Sequence, residues 1–428
     1  MLAFLGLLTI LLLLFLVITK KASPVIALTL VPIFTGMLAG KTTEVPAMIG
    51  EGLQAIAPTG VMFVFAILFF GILLDAGTFQ PIISKLLKIA GNDPVKIALA
   101  TAVLAMLIHL DGSGAVTFLV VIPALAPIYD QLGMKRITLA CIVALSAGTM
   151  NMVPWGGPTI RAATALNVPV TELFNPMVIP LLSGLVCVIM IAFFLGKSEK
   201  RRLGNPNQAS IYAISTEENP LHRPSLFWIN VLLILAAITA IILSWAPPYV
   251  VFMVAFAVAL LINFPKVEEQ KKRIDAHAKG AMLMASILFA AGCFTGILKG
   301  SGMMDAMAAA VQTMLPEQLG RQLPLLTGLV AMPASMLFDP DSFYFGILPL
   351  LSSTATTFGA SGLEVGQAAI LGQMTTGFPV SPLTGSTFLL VGLSGVELGD
   401  HQKKTIPLAF SVTLVMLLVS VLLGVISI

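Results

Sequence analysis

The sequence predicts an all-α membrane protein built from two inverted repeats of five transmembrane helices, each repeat carrying one re-entrant hairpin and one broken helix. Three observations predict it. Of 428 residues, 57% are hydrophobic and 10% charged, with a mean hydropathy of +1.00, well outside the range of a soluble domain. Apolar stretches of about 17 to 25 residues recur along almost the whole chain, each long enough as a helix to cross a core of about 30 Å, and they lack the alternation of barrel strands. The chain also resembles itself at a shift of about 225 residues: GILLDAGTF at 71–79 meets GILKGSGMM at 296–304, HLDGSG at 109–114 meets LFDPDS at 337–342, and NMVPWGGPT at 151–159 meets GFPVSPLTGST at 377–387.

The first span, 2–19, is followed by Lys20 and Lys21 rather than a small-residue cleavage site, so it reads as a retained helix and not a secretory signal. Spans at 24–41 and 58–77 follow. The apolar segment 95–129 carries charge at its middle, which suits a hairpin that enters and leaves on one side, covered by protein or a watery cavity. Span 136–165 is broken by Pro and Gly, and 176–195 closes the first repeat at residue 195. Residues 196–225, with KSEKRR, Asn-Pro-Asn and Glu-Glu-Asn-Pro, read as a cytoplasmic linker. The second repeat, 226–428, has spans at 226–246, 248–264 and 277–298, a hairpin at 323–357, a broken span at 366–395 and a last span at 404–428. Five crossings are an odd number, so the second repeat runs upside down relative to the first. Lys and Arg agree: the loops on one side keep only Lys41, Lys299 and Arg321, which puts that side, and both termini, outside. Cys141, Cys187 and Cys293 fall in apolar segments without metal-ligand spacing and read as core residues.

Residues able to carry chemistry cluster where these segments are interrupted. At the first tip an unpaired carboxylate at bilayer depth costs several kcal/mol, so Asp111 is read as a substrate or ion ligand, a cap for the second limb, or both. Gly112 and Ser113 share its turn, and His109 either handles protons or satisfies neighbouring backbone. At the second tip Asp339 and Asp341 either approach one cation together, or one caps while the other binds; Ser342 follows them. Asn151, Gly156, Gly157 and Thr159 unwind the first broken span and create a helix N-terminus that favours an anion. Ser381, Thr384 and Ser386 repeat the device. Arg161 has three readings: a fork for a substrate carboxylate, a counter-ion for Asp111 or Asp75, or a side chain snorkelling to the surface. Asp75 is a coupling residue or a helix-end residue.

At these positions the chain resembles the citrate-metal hydrogen symporter family, CitMHS, within the ion transporter superfamily. The resemblance runs through APTGVMFVFAILFFGILLDAGTF, the LDG of the first tip, MNMVPWGGPTIRAA, DSFYFGILPLL and SPLTGSTFLLVGLSGVELGDH, and covers essentially the whole chain. It implies proton-coupled uptake of citrate, typically with a divalent metal, across the bacterial cytoplasmic membrane, and a dimer whose transport domain moves as an elevator. The family tip commonly reads LDGDG; here Ser113 replaces the second Asp, which weakens the case for a tightly held cation.

The reading is therefore a secondary symporter for citrate, free or complexed with Mg or Ca, with no covalent cofactor. Its partners are the carboxylate, membrane lipid and a second copy; nucleic acid is not among them. Asp75, His109, Asp111 and Asp341 are the proton-coupling candidates, and Asp111, Asp339 and Asp341 the metal candidates. Another di- or tricarboxylate, or sodium/proton antiport, are the rivals. A phosphate loop of the GxxxxGK[ST] type is missing, as is an HExxH-type motif or a persuasive nucleophile-base pair, which argues against ATP-driven transport and against an enzyme.

Overall fold

The computed structural model describes residues 1–19, 21–204, 220–313 and 316–427. Among them every regular element is helical. In the first half these are α1 (Leu2–Ile18), α2 (Pro24–Leu38), α3 (Val45–Asp75), α4 (Gln80–Ala90), the hairpin limbs α5 (Pro94–Ile108) and α6 (Gly114–Gln131), the broken pair α7 (Arg136–Met150) and α8 (Gly157–Leu166), the short α9 (Val170–Phe174) and α10 (Val178–Leu203). The second half has α11 (Phe227–Ile242), α12 (Pro248–Asn263), α13 (Val267–Gly300), α14 (Met303–Gln312), α15 (Glu317–Arg321), hairpin limbs α16 (Leu323–Ala334) and α17 (Leu348–Thr357), the broken pair α18 (Gly362–Ile370) and α19 (Gly385–Ser394), and α20 (Leu398–Leu422). Among the described residues, seven helices are long and apolar enough to cross a membrane, and shorter apolar helices accompany them.

Several boundaries differ from the sequence reading. The third span of each half is a much longer helix, because Pro58 is accommodated inside α3 and the charged stretch 267–276 continues α13 as a solvated extension. The basic run assigned to the linker is helical through Leu203, and residues 205–219 of that linker, like Lys20, lie outside the described residues. Two amphipathic helices, α4 and α14, follow the third spans at matched places.

Packing divides these helices into two groups. Helices α2, α3, α12 and α13 pack on one another, while α5, α7 and α10 pack against each other and, through α10 and α7, against α20, which in turn meets α16, itself packed on α18. The α3–α13 crossing is close because it is lined with small residues: a Cβ on Gly52 would run into the Gly292 carbonyl. The hairpin tips and helix breaks all fall inside the second group, on the side turned toward α3 and α13.

Candidate functional site

The first hairpin turns through a short 3₁₀ segment, His109–Asp111, and a left-handed Gly112. The Ser113 amide donates to Asp111 Oδ1 at 2.8 Å, and Ser113 Oγ in turn caps α6 by accepting from the Val116 amide at 3.4 Å. Asp111 thus holds the turn while lining a cavity. His109, fully buried, lies with Nδ1 2.9 Å from Thr117 Oγ1 and Nε2 3.4 Å from Asn151 Oδ1. Asn151 Nδ2 donates to the Met374 carbonyl at 2.8 Å. His109 and Asn151 therefore tie the first tip to the break of the second half.

The second tip is organised differently. Asp339 Oδ1 accepts from the amides of Asp341 and Ser342, both at 3.1 Å, and its Oδ2 accepts from Ser342 Oγ. Asp341 instead receives Arg161 Nε at 2.7 Å in an ion pair whose side chains are each 8% exposed. Of the readings for the second tip, the structure supports the one in which Asp339 caps. Arg161 is the counter-ion of Asp341 rather than of Asp111 or Asp75, and it does not snorkel; its Nη1 also donates to the Gly157 carbonyl. Asp75 has partners of its own on α13, Arg273 Nη1 at 3.1 Å and His277 Nε2 at 2.9 Å. The expected metal set is Asp111, Asp339 and Asp341. Capping and ion pairing occupy two of its members, and no three His, Cys, Asp or Glu converge as a metal site among the described residues.

One cavity of about 450 Å³ gathers eight of the expected binding residues: Asp111, Gly112, Ser113, Asn151, Gly157, Arg161, Thr384 and Ser386. Gly156, Thr159, Ser342 and Ser381 lie outside its lining. They have structural jobs: Gly156 accommodates the Asn151 carbonyl, Thr159 Oγ1 donates to Met152 O at 2.7 Å, and Ser381 Oγ donates to Ser335 O at 2.6 Å. α8 and α19 begin at the cavity, and no side chain caps either N-terminus, so the partial positive charge of both helix ends is directed at its contents. Sequence reasoning missed His277, Gly280, Pro340, Met374 and Phe378, which also line the wall, together with apolar residues of α3 and α13 such as Phe63 and Leu283. The signal available for His277 was its place four residues after Arg273, on the face of a helix that meets an acidic helix end.

Two further cavities lie on the far side of this layer. One of about 800 Å³ is lined by Glu51, Gly52, Thr295 and Lys299 at the opposite ends of α3 and α13. The other, about 580 Å³, sits between α8 and the α11–α12 turn.

Comparison with known proteins gives a consistent picture. The CitMHS family model, described as citrate transporter, matches residues 13–377. A citrate transporter of Bacillus subtilis (strain 168) is 44% identical over 427 residues, covering 100% of both chains. A Mg(2+)/citrate complex secondary transporter of the same organism is 42% identical over 434 residues, again covering 100% of both. The YdaH transporter of Alcanivorax borkumensis, known from a crystal structure, shares the fold at a TM-score of 0.59 and 16% identity, over 90% of this chain and 88% of that one.

Proposed function

This chain belongs to the CitMHS family of citrate transporters, and on that premise we propose that it carries citrate across the bacterial cytoplasmic membrane by proton-coupled symport. The family consists of transporters and not enzymes. The observation that carries the proposal is the meeting of two uncapped helix N-termini, one from each half, at a single cavity. Such ends favour the carboxylates of a polyanion without a desolvated lysine or arginine having to be supplied for each.

Citrate travels free or with a divalent ion such as Mg²⁺. The relative described as a Mg(2+)/citrate complex transporter supports the second form. As part of the substrate, the metal needs few protein ligands: citrate supplies most of its oxygens, and Asp111 at the cavity wall offers a carboxylate. Residues 1–195 and 226–428 are the two inverted repeats, joined on the cytoplasmic side by 196–225, with both termini outside. The group containing the hairpins and broken helices is the moving body of an elevator, and α2, α3, α12 and α13 belong to the scaffold through which two copies pair. Cavities at opposite ends of the α3–α13 pair are what alternating access requires.

Equilibrium titration of the purified protein with citrate, with and without Mg²⁺, tests the site. Saturable binding is expected, weakened about tenfold or more by Asp111→Asn when Mg²⁺ is present, since a lost charge-assisted contact is worth about 1.5–3 kcal/mol. No citrate binding under either condition would contradict the proposal.

A further inference from the structure

The geometry points to His277 as a pH-dependent anion hold at one mouth of the transport cavity, which retains the carboxylate substrate while protonated and lets it go when the proton leaves. His277 lines the cavity together with Asp111, Gly157 and Ser386. Its ring lies where a Cβ on Gly71 would be, in a slot that only glycine leaves open. On its other side Nε2 meets Asp75, which Arg273 already engages. With the Asp75–Arg273 pair neutral as a unit, the imidazole is the group whose proton changes the net charge facing the cavity, and imidazole is the side chain that changes charge across physiological pH. The groups around it are Asp75 on α3, Arg273 on its own helix, and Asp111 and Arg161 across the cavity; the ring of His222 packs beside Gly77, just past the end of α3. Asp275 and Lys279, on the same helix, are exposed.

Among the described residues, the positions that correspond to this device at the other end of the crossing carry no titratable side chain. The shift of about 225 residues that relates the halves pairs Gly71 with Gly296 and His277 with Gly52. At the other end of the crossing those two counterparts also touch, glycine on glycine. Asp75 and Arg273 correspond to Gly300 and Met48, again in contact, and again without charge. A histidine-centred cluster at one mouth, and at the other a glycine crossing whose flanking charges are Glu51, Lys299 and Asp305 with no histidine in the lining, make the two faces chemically unequal. A proton-dependent hold then acts on the Asp75 side alone, which the orientation proposed above places at the cytoplasm.

The inference rests on the citrate transport reading, and sided exchange separates the two. Labelled-citrate exchange is measured in right-side-out and inside-out membrane vesicles, with the pH of each face set between about 6 and about 8. In the wild type the apparent KM at the cytoplasmic face should rise with pH about tenfold more than in His277→Gln, the scale of one charge removed at close range. Citrate's own titration is common to both versions and cancels in that comparison. His277→Lys should keep KM low at both pH values. If the wild type exchanges citrate but His277→Gln keeps its pH profile, or alters both faces equally, the hold assigned to His277 is wrong. If the wild type exchanges no citrate, the transport reading itself fails.

Discussion

Asp111 and Ser113 show how one turn serves both fold and cargo. Ser113 caps α6 through its side chain, and aspartate caps as well as serine, so Ser113→Asp should fold normally while placing a second carboxylate beside Asp111. Uptake titrated with Mg²⁺ and a chelator should show stronger metal dependence in the variant; an unchanged metal profile would mean that the ion is held by citrate and other groups. The Arg161–Asp341 pair makes a different demand. Removing one partner leaves a buried charge uncompensated, so Asp341→Asn should cost about 3–5 kcal/mol, read as a lowered melting temperature in detergent, and should abolish uphill accumulation. Arg161→Met with Asp341→Leu should restore the melting temperature but not transport. Asp111 and the Ser/Thr/Gly breaks were legible in the sequence because a charge or a proline inside an apolar run is a local signal. The pairing of Arg161 with Asp341, 180 residues apart, and of Asp75 with His277, 202 residues apart, was not, since it arises only when the two halves meet.

The helices confirm how strongly apolar run length specifies an element in lipid. Proline misled at one place: Pro58 marked a start in the sequence reading but lies within α3, where surrounding helices accommodate the missing amide. The amphipathic α4 and α14 were missed because they are too short and too polar to read as spans. The breaks are where elements make function, and α19 gives a clean test. Gly385, its first residue, has open space at its Cβ position. Gly385→Asp therefore fits, and an acidic residue in a first turn stabilises a helix by about 0.3–1 kcal/mol. It also sets a fixed anion where the substrate's carboxylate would lie. Citrate KM should rise about tenfold with the melting temperature held or slightly raised. A KM equal to wild type would remove the α19 N-terminus from the binding site.

At the scale of the molecule, the two halves share the order of spans, hairpin limbs and broken pairs, with the short α9 and α15 at different places, and meet at a crossing of small residues between α3 and α13, with a cavity at each end. The orientation proposed from the cations is checked by single cysteines in a cysteine-free version: Lys271→Cys should react only with reagent on the cytoplasmic side and Gln318→Cys only from outside, the reverse pattern contradicting that orientation. The central claim, that this cavity moves citrate with protons and accepts a metal ion as part of the cargo, is tested most directly by uptake of labelled citrate into proteoliposomes with the pH gradient and Mg²⁺ varied independently. Accumulation against the citrate gradient is predicted when the entry side is acidic, enhanced by Mg²⁺ and abolished by Asp111→Asn. Citrate entry that merely equilibrates, indifferent to the pH gradient and to Asp111→Asn, would contradict it.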